Sequence, residues 1–369
     1  MFDASCEVAI VGAGPAGALA GILLARQGRR VVLIERSAWP REKTCGGCLS
    51  AGAVAVLKRA GLADVLVHAQ PLHRVRWHVG SRCLDLPTPG GYALARSEFD
   101  ALLVEHARAA GCTFLPGTSA LLEGKTPCAA QRTLTLHSGG TTQTLRASAV
   151  LAADGIAGTS LAKQDWARWE LSAESYIGVA ATCASFPDPP PRGEIHMHAG
   201  PGGYVGLVRL PDGRIHVAAA ISPAAARRAG SPAAVMAQIL GASGRPAPVD
   251  LPRLHGTPYL SRHRNALGAH RVLAIGDACS YVEPFTGEGI AWALKSAEAV
   301  VALLPPAEAP WPDELPHRWL ELHREVLARS QWLCRTLRPM MHAPALAAAG
   351  LIVGNALPPL RRLIAAQCS

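Results

Sequence analysis

The chain has 369 residues, 49% of them hydrophobic and 17% charged, with a formal net charge of +9. That length can bury a large core and suits two or three domains or one elaborate α/β unit, and the composition excludes a disordered chain. Zinc-finger spacing, RNP motifs and basic runs interleaved with aromatics are absent, so nucleic acid is not an expected partner; the positive balance suits a phosphorylated cofactor, an anionic membrane face or simply an arginine-rich surface.

The first residues, MFDASCEVAIVGAG, enter a strand directly, without a basic n-region and cleavage site, and no stretch is apolar enough to span a bilayer. A cytoplasmic protein is therefore expected, with its ten scattered cysteines as reduced thiols. CEVAIVGAG reads as a buried strand, PAGALAGILLARQG as a helix with Pro15 in its first turn and Gly28 as its stop, and RRVVLIER as a second buried strand. This is a βαβ unit. Gly12, Gly14 and Gly17 form G-x-G-x-x-G between strand and helix, with Pro15 and Ala16 inside the motif. The first glycine permits the tight turn, the second admits a pyrophosphate to the backbone, and the third lets helix and strand pack closely. The helix N-terminus offers N–H groups and partial positive charge to phosphate. Glu35 ends the second strand, where a carboxylate can accept from ribose hydroxyls, and Arg36 follows it.

REKTCGGCLS comes next. Its Cys45-Gly46-Gly47-Cys48 spacing lacks the further ligands of a zinc site and does not open a helix as a dithiol redox motif would. HRVRWHVGSRCLDLP reads as antiparallel sheet. SEFDALLVEHARAAG is an amphipathic helix on Phe99, Leu102, Leu103 and His106, with Arg96 at its start. ASAVLAADG is a buried strand ending at Asp154 and Gly155. From about Trp166 to Pro258 the chain alternates as antiparallel sheet, with PDG as a turn. His196 and His198 share one face there and read as packed or solvated strand residues, with no metal expected. HRVLAIGDA is a further buried strand, ending at Gly276 and Asp277, and PFTGEGIAWAL opens another helix with Pro284, Gly287, Glu288, Gly289 and Ile290. After Leu304 the chain is helical with proline breaks. The predicted organisation is a discontinuous nucleotide domain (1–70, 95–165 and 262–305), a β-rich substrate domain (71–94 and 166–261) and a helical C-terminal region (306–369).

GAGPAG, then ER, LARSEFDALL, AADGIAG and GDACSYVEPFTGEGIAWAL, in that order, resemble the FAD-dependent oxidoreductases of the para-hydroxybenzoate hydroxylase superfamily. REKTCGGCLS with PFTGEGI is most similar to its geranylgeranyl reductase-like branch. The resemblance covers about three quarters of the chain and implies a Rossmann-like, glutathione reductase-type α/β FAD-binding domain with an inserted antiparallel sheet and a helical tail. It implies that Arg96 reaches the FAD phosphate or ribityl region, while Arg36 reads equally as a cofactor contact or a solvated surface cation. It implies too that Asp154 and Gly155 touch the cofactor, that Cys45, Gly46 and Gly47 lie along the flavin face, and that Cys48 only packs. Asp277 would accept from a ribityl hydroxyl, while Gly287 and Gly289 bring backbone near the ring and the following helix aims its positive end at it. Cys45 is the candidate flavin-face residue. The family's serine three residues after Asp154 is missing; Ala157 and Gly158 occupy that stretch and Ser160 comes later.

On the substrate side the family's aromatic-rich strand is GGYVGLVRL here, with Tyr204 as its one aromatic, so a prenyl substrate does not carry over by resemblance. WARWELS does not match the halogenase Trp-x-Trp-x-Ile-Pro motif, which disfavours halogenation. The expected function is oxidation–reduction of a hydrophobic unsaturated or aromatic small molecule, isoprenoid or polyketide-like, with NAD(P)H as electron source. C=C reduction is preferred over aromatic hydroxylation with dioxygen, and a non-catalytic flavin-binding role is the third reading. A monomer or homodimer is expected. ALAAAGLIVGNALPPLRRLIAA reads as a helix packed on the core, with a membrane-surface helix carrying Arg361 and Arg362 as the alternative. No histidine or cysteine has a recognisable flavin-tether spacing. The purified protein should therefore be yellow and release intact FAD on acid precipitation; a colourless protein that cannot be reconstituted would overturn this reading.

Overall fold

The computed structural model describes residues 5–124, 130–246, 254–283, 285, 287–307 and 309–356. Pro284, Arg361 and Arg362 lie outside the described residues. From the N-terminus, β1 (Ser5–Val11), α1 (Pro15–Arg26) and β2 (Val31–Ile34) form the first βαβ unit. A short β3 (Cys48–Leu49) and α2 (Ala51–Arg59) lead into the hairpin of β4 (Gln70–Val79) and β5 (Arg82–Ala93). α3 (Arg96–Ala109) returns the chain to β6 (Thr113–Leu115), followed by β7 (Ser119–Leu122), β8 (Arg132–Ser138) and β9 (Thr141–Ala152). After β10 (Glu170–Leu171) come β11 (Ile177–Cys183), β12 (Glu194–Gly200), β13 (Gly203–Arg209) and β14 (Ile215–Ile221), then α4 (Pro223–Ala229), α5 (Pro232–Ala242) and β15 (His255–Tyr259). β16 (Arg262–His263), β17 (Gly268–Ala269), β18 (Val272–Ala274) and β19 (Ser280–Tyr281) precede α6 (Gly289–Leu303), α7 (Leu315–His342) and α8 (Pro344–Ala356).

The first sheet runs β17-β18-β9-β1-β2-β6, parallel from β18 to β6, with the β7–β8 hairpin attached through β9. Both its faces are covered, which is why β1 and β2 are almost wholly apolar and buried. α1, α3 and α6 contribute Leu19, Phe99 and Leu294 to its core, and α7 inserts Trp319, whose Nε1–H donates to the Ala274 carbonyl (2.8 Å).

The second sheet runs β15-β11-β14-β13-β12-β4-β5-β3. It gathers the β4–β5 hairpin and the later meander, which the sequence places far apart. Three features depart from the expected antiparallel insert. β12 pairs with β4 in parallel, so the hairpin and the meander meet at a parallel seam. α4 and α5 interrupt the insert, each started by Pro at N1 with a serine cap, Ser222 and Ser231. β3, from the CGGC loop, joins this sheet by pairing with β5.

The C-terminal helices pack rather than trail. Leu327, Cys334 and Met341 of α7 and Ala347 and Leu351 of α8 are buried with Leu84, Leu86 and Tyr204 of the second sheet. None of the described helices is long and apolar enough to cross a membrane.

α7 also buries His323 edge-on to Trp319, with Nε2 lacking a hydrogen-bond partner. Burial, with Arg324 nearby, pushes this imidazole down to about 4. The unfolded chain binds a proton near pH 6.5, so stability is full above that value and falls as pH drops toward 4. At about pH 5 this one group should cost about 2 kcal/mol relative to neutral pH. His323→Phe should therefore shrink the fall in melting temperature between neutral pH and about pH 5; an unchanged fall would assign the acid sensitivity elsewhere.

Candidate functional site

Between the two sheets lies a continuous cavity of about 580 Å³. At one end it is walled by Gly12, Gly14, Pro15 and Ala16, with Glu35, Arg36 and Arg96 beside them. Cys45, Gly46, Asp154 and Gly155 continue the wall toward Asp277, Gly287, Gly289 and Ile290. The motifs that the sequence spreads over the chain thus meet along one trough.

Gly12 has φ +108°, and a Cβ there would sit 2.3 Å from the Ala153 carbonyl oxygen, so both conformation and the crossing β9 loop demand glycine. A Cβ on Gly17 would lie 1.9 Å from the Gly12 carbonyl oxygen. Gly14 differs: its nearest neighbours would be guanidinium nitrogens, Arg41 Nη2 at 3.6 Å and Arg96 Nη2 at 4.0 Å. It is the N-cap of α1 and supplies no side-chain cap. An uncapped helix N-terminus flanked by two arginines is a site for a pyrophosphate.

The arginines are held by Asp100, which is fully buried. Arg96 makes a two-point contact to it (2.9 and 2.8 Å), and Arg41 Nη1 adds a third bond to Asp100 Oδ2 (2.9 Å). Arg41 Nε also reaches Glu35 Oε2 (3.2 Å). Glu35 accepts further from Ala13 N (3.2 Å) and Ser37 N (3.0 Å). Burial would raise this carboxyl, but Arg41 and the backbone donors outweigh it and hold the group below the ordinary carboxylate range. A carboxylate has about four acceptor positions, so one remains for a hydroxyl from outside. Arg36 is exposed at the rim.

Lys43 extends the positive stretch, 3.7 Å from where a Gly155 Cβ would be. Burial, with Arg41 and Arg96 adding to it, lowers this amine. Asp277 opposes it: burial pushes its carboxyl up to about 6, against the pull of Lys43 and Arg96. Asp154 turns Oδ2 onto its own loop, accepting from Ser160 N (2.9 Å), so the late Ser160 contributes through its backbone. Gly158 sits directly against that carboxylate, where a Cβ would come within 2.1 Å.

The CGG loop leans on β14. His216 Nε2–H donates to the Cys45 carbonyl, and its Nδ1 accepts from Thr182 Oγ1 (2.9 Å). A carbonyl can only accept, which sets the tautomer. The Gly47 backbone packs on the same ring, where a Cβ would be 3.1 Å from His216 Cδ2. Cys45 and Cys48 are free thiols. Burial drives the Cys48 thiol far up, and its Sγ–H donates to the Gly46 carbonyl (3.4 Å), so it packs.

Some predicted residues lie outside the cavity lining. Gly17, Gly47 and Gly276 sit behind the wall, Gly276 with its Cβ position 2.8 Å from Ala16 Cβ. Glu288 is buried against Gly52 (3.5 Å from the glycine's Cβ position), not in the lining. The left-handed glycine of this turn is Gly287, with φ +78°, while Gly289 is the first residue of α6. That helix begins without a side-chain cap or an acidic residue in its first turn, leaving its positive end free.

The far half of the cavity is apolar. Its floor is a row of register partners across four strands, Trp77, Met197, Gly206 and Ala218, with Val79 and Tyr204 one row on. Leu337, Met341 and Leu351 close it from α7 and α8. Tyr281, which the sequence did not single out, lines this half, and Glu283, His342 and Tyr176 lie behind the lining. Glu283 is fully buried and takes His342 Nε2 at 3.3 Å and the Tyr204 hydroxyl, while His342 stacks on Tyr176.

A trough with a pyrophosphate cradle at one end, a carboxylate for a ribose beside it and a second helix N-terminus at the other fits a long dinucleotide. Residues 5–305 match the FAD binding domain family. The chain belongs to that family. With it comes the para-hydroxybenzoate hydroxylase-like flavoprotein superfamily that the motifs resemble, and the protein is an FAD-dependent oxidoreductase. A menaquinone reductase of Mycobacterium tuberculosis is 29% identical over 343 residues, 86% of this chain and 81% of that one. The p-nitrophenol 4-monooxygenase of Pseudomonas putida shares the fold with TM-score 0.79 at 18% identity, over 98% of this chain and 97% of that one. A flavoprotein/dehydrogenase of Cytophaga hutchinsonii does so with TM-score 0.81 at 18% identity, over 98% and 92%.

Glu35→Ala should weaken FAD binding by about 1.5–3 kcal/mol, roughly ten- to hundredfold in Kd. Glu35→Gln, which keeps an acceptor for the backbone donors, should lose less. Unchanged affinity in the alanine variant would show that this carboxylate does not hold the ribose.

Proposed function

We propose that this flavoprotein reduces a carbon–carbon double bond in a hydrophobic, chain-bearing molecule, a prenylated quinone or a similar isoprenoid or polyketide-like compound, with NAD(P)H as electron source. The observation that carries the reading is Tyr204 in the apolar wall of the cavity, backed by Glu283 and His342 behind the lining. When bound, FAD supplies the hydride chemistry. Adding hydride to one carbon of a double bond requires a proton at the other. Tyr204 is the group we assign to give that proton; burial first, with Glu283 and Tyr281 nearby, raises its phenol and keeps it protonated before the reaction. Glu283 orients the phenol, and the half-buried His342 stands behind it to return the proton. The Trp77–Met197–Ala218 floor and the α7–α8 roof keep water from the reacting bond.

The mycobacterial relatives are menaquinone reductases, which supports a lipid quinone as substrate class. The geranylgeranyl reductase-like loops REKTCGGCLS and PFTGEGI are part of the same reading. A lipid substrate also calls for a peripheral membrane contact. Trp332, Leu346 and Ile352 are exposed on α7 and α8, and Arg329 and Arg335 lie one helical turn to either side of Trp332. Co-sedimentation with anionic vesicles should be lost in Trp332→Ala; a protein that never sediments at low salt removes the membrane contact.

Under strict anaerobiosis, NADPH and menaquinone should give a product that stays two hydrogens heavier after the ring is reoxidised to the quinone in air. Oxygen consumption stoichiometric with a hydroxylated product would instead make the protein a monooxygenase. Tyr204→Phe should lower kcat by about 10²–10⁴-fold while leaving the rate of flavin reduction by NAD(P)H intact. A variant with wild-type turnover would remove Tyr204 as the acid.

A further inference from the structure

The second sheet has another face. β12 alternates, so Ile195 and Met197 line the cavity while His196 and His198 look out from the other face, on the side of α5. The parallel pairing of β4 to β12 sets His78 opposite His198 and Arg76 opposite His196. The third histidine is far away in sequence and arrives only through this seam.

The three imidazoles form one cluster. A ring nitrogen from each lies within 4.8 Å of the other two. His78 and His198 stack with centroids 4.5 Å apart and planes 7° apart. His198 is 1% exposed and neither ring nitrogen has a hydrogen-bond partner; His78 Nε2 also lacks one. Leaving a buried polar atom unpaired costs about 1–3 kcal/mol, so three together need a reason.

His196 has its partners. Arg245 Nη2 lies 3.0 Å from Nδ1, and Glu194 Oε2 3.0 Å from Nε2. Arginine can only donate, so Nδ1 carries the lone pair and Nε2–H donates to the carboxylate. A carboxylate that fixes the tautomer of an imidazole is the usual outer partner of a metal-bound histidine. The surrounding cations are matched: Arg76 pairs with Asp85, Arg74 with Glu194 and Arg245 with Asp188.

We propose that His78, His196 and His198 bind a borderline divalent transition ion such as zinc on the outer face of the second sheet, clamping β4 to β12 across their parallel seam. His-x-His on one strand with a third histidine on its neighbour supplies three nitrogen ligands once the stacked His78 and His198 rings turn out of parallel, and leaves the fourth position to water. The ion takes the place of the Arg245 guanidinium at His196 Nδ1, and Arg245 keeps Asp188. The site is on the opposite side of the sheet from the cavity, so its work is structural. It fixes the strands whose other faces carry Trp77 and Met197.

The test uses tag-free, FAD-loaded full chain, stripped with a chelator and dialysed against zinc(II) at neutral pH, with metal and flavin both counted. The expected result is about one zinc per chain and a melting temperature that rises with free zinc. His198→Phe and, at the less buried rim, His78→Phe should each weaken binding more than about tenfold, about 1.4 kcal/mol, with FAD content unchanged. Failure of the wild type to retain zinc, or retention as tight in both phenylalanine variants, would overturn the site.

Discussion

The cofactor trough depends on one buried carboxylate. Asp100 carries no exposure and holds two guanidinium groups, Arg96 by a two-point contact and Arg41 by a third bond. Removing one partner of a buried ion pair typically costs about 3–5 kcal/mol, because the other charge is left uncompensated. Here the consequence is also geometric. Asp100 sits on α3, Arg41 on the loop after β2, and Gly14 on the turn after β1. The carboxylate therefore ties α3 to the loop after β2, beside the point where α1 presents its free N–H groups. With Glu35 on Arg41, two carboxylates balance the two guanidinium groups, which keeps two neighbouring cations from repelling each other unchecked.

The second sheet is organised by the same economy of faces. Strand alternation sends Trp77, Met197 and Tyr204 to the cavity and His78, His196 and His198 to the α5 side. One parallel seam positions both sets. A shift of one residue in the β4–β12 register would put histidines into the apolar cavity and Trp77 out of it. The seam thus links the substrate wall to the histidine cluster mechanically, although no side chain of one set touches the other.

The polar groups of the cavity are few and coupled. His216 fixes the CGG loop through a single carbonyl bond, and Glu283 joins a phenol and an imidazole that come from β13 and the end of α7. Each is neutral or compensated in an apolar setting, where an unpaired charge would be costly. The C-terminal helices matter to the site for this reason. They bring His342 and close the roof with Leu337, Met341 and Leu351.

Local physics made much of this legible from the chain itself. G-x-G-x-x-G between a buried strand and a helix needs only backbone geometry and close packing to be read, and Gly12 and Gly17 show both in their contacts. Glu35 at the end of β2 and the uncapped start of α6 are likewise local, as is the order of motifs that announces an FAD protein. The Arg96–Asp100 pair was available too, as an i,i+4 spacing on one helix face, but its meaning was not: Asp100 becomes an anchor only when Arg41 arrives from another loop. Arg41 and Lys43 carry no local signal in the sequence, and only the fold draws them into the cavity wall. The same holds for His78 beside His198 and for His342 beside Glu283, which meet through strand pairing and helix docking between distant segments. Residue type and short-range spacing determined the cofactor class and the elements that cradle it. Only tertiary packing decided which charges lose their water, and so which side chains had to find a partner, because desolvation is a property of the whole fold and not of any stretch of it.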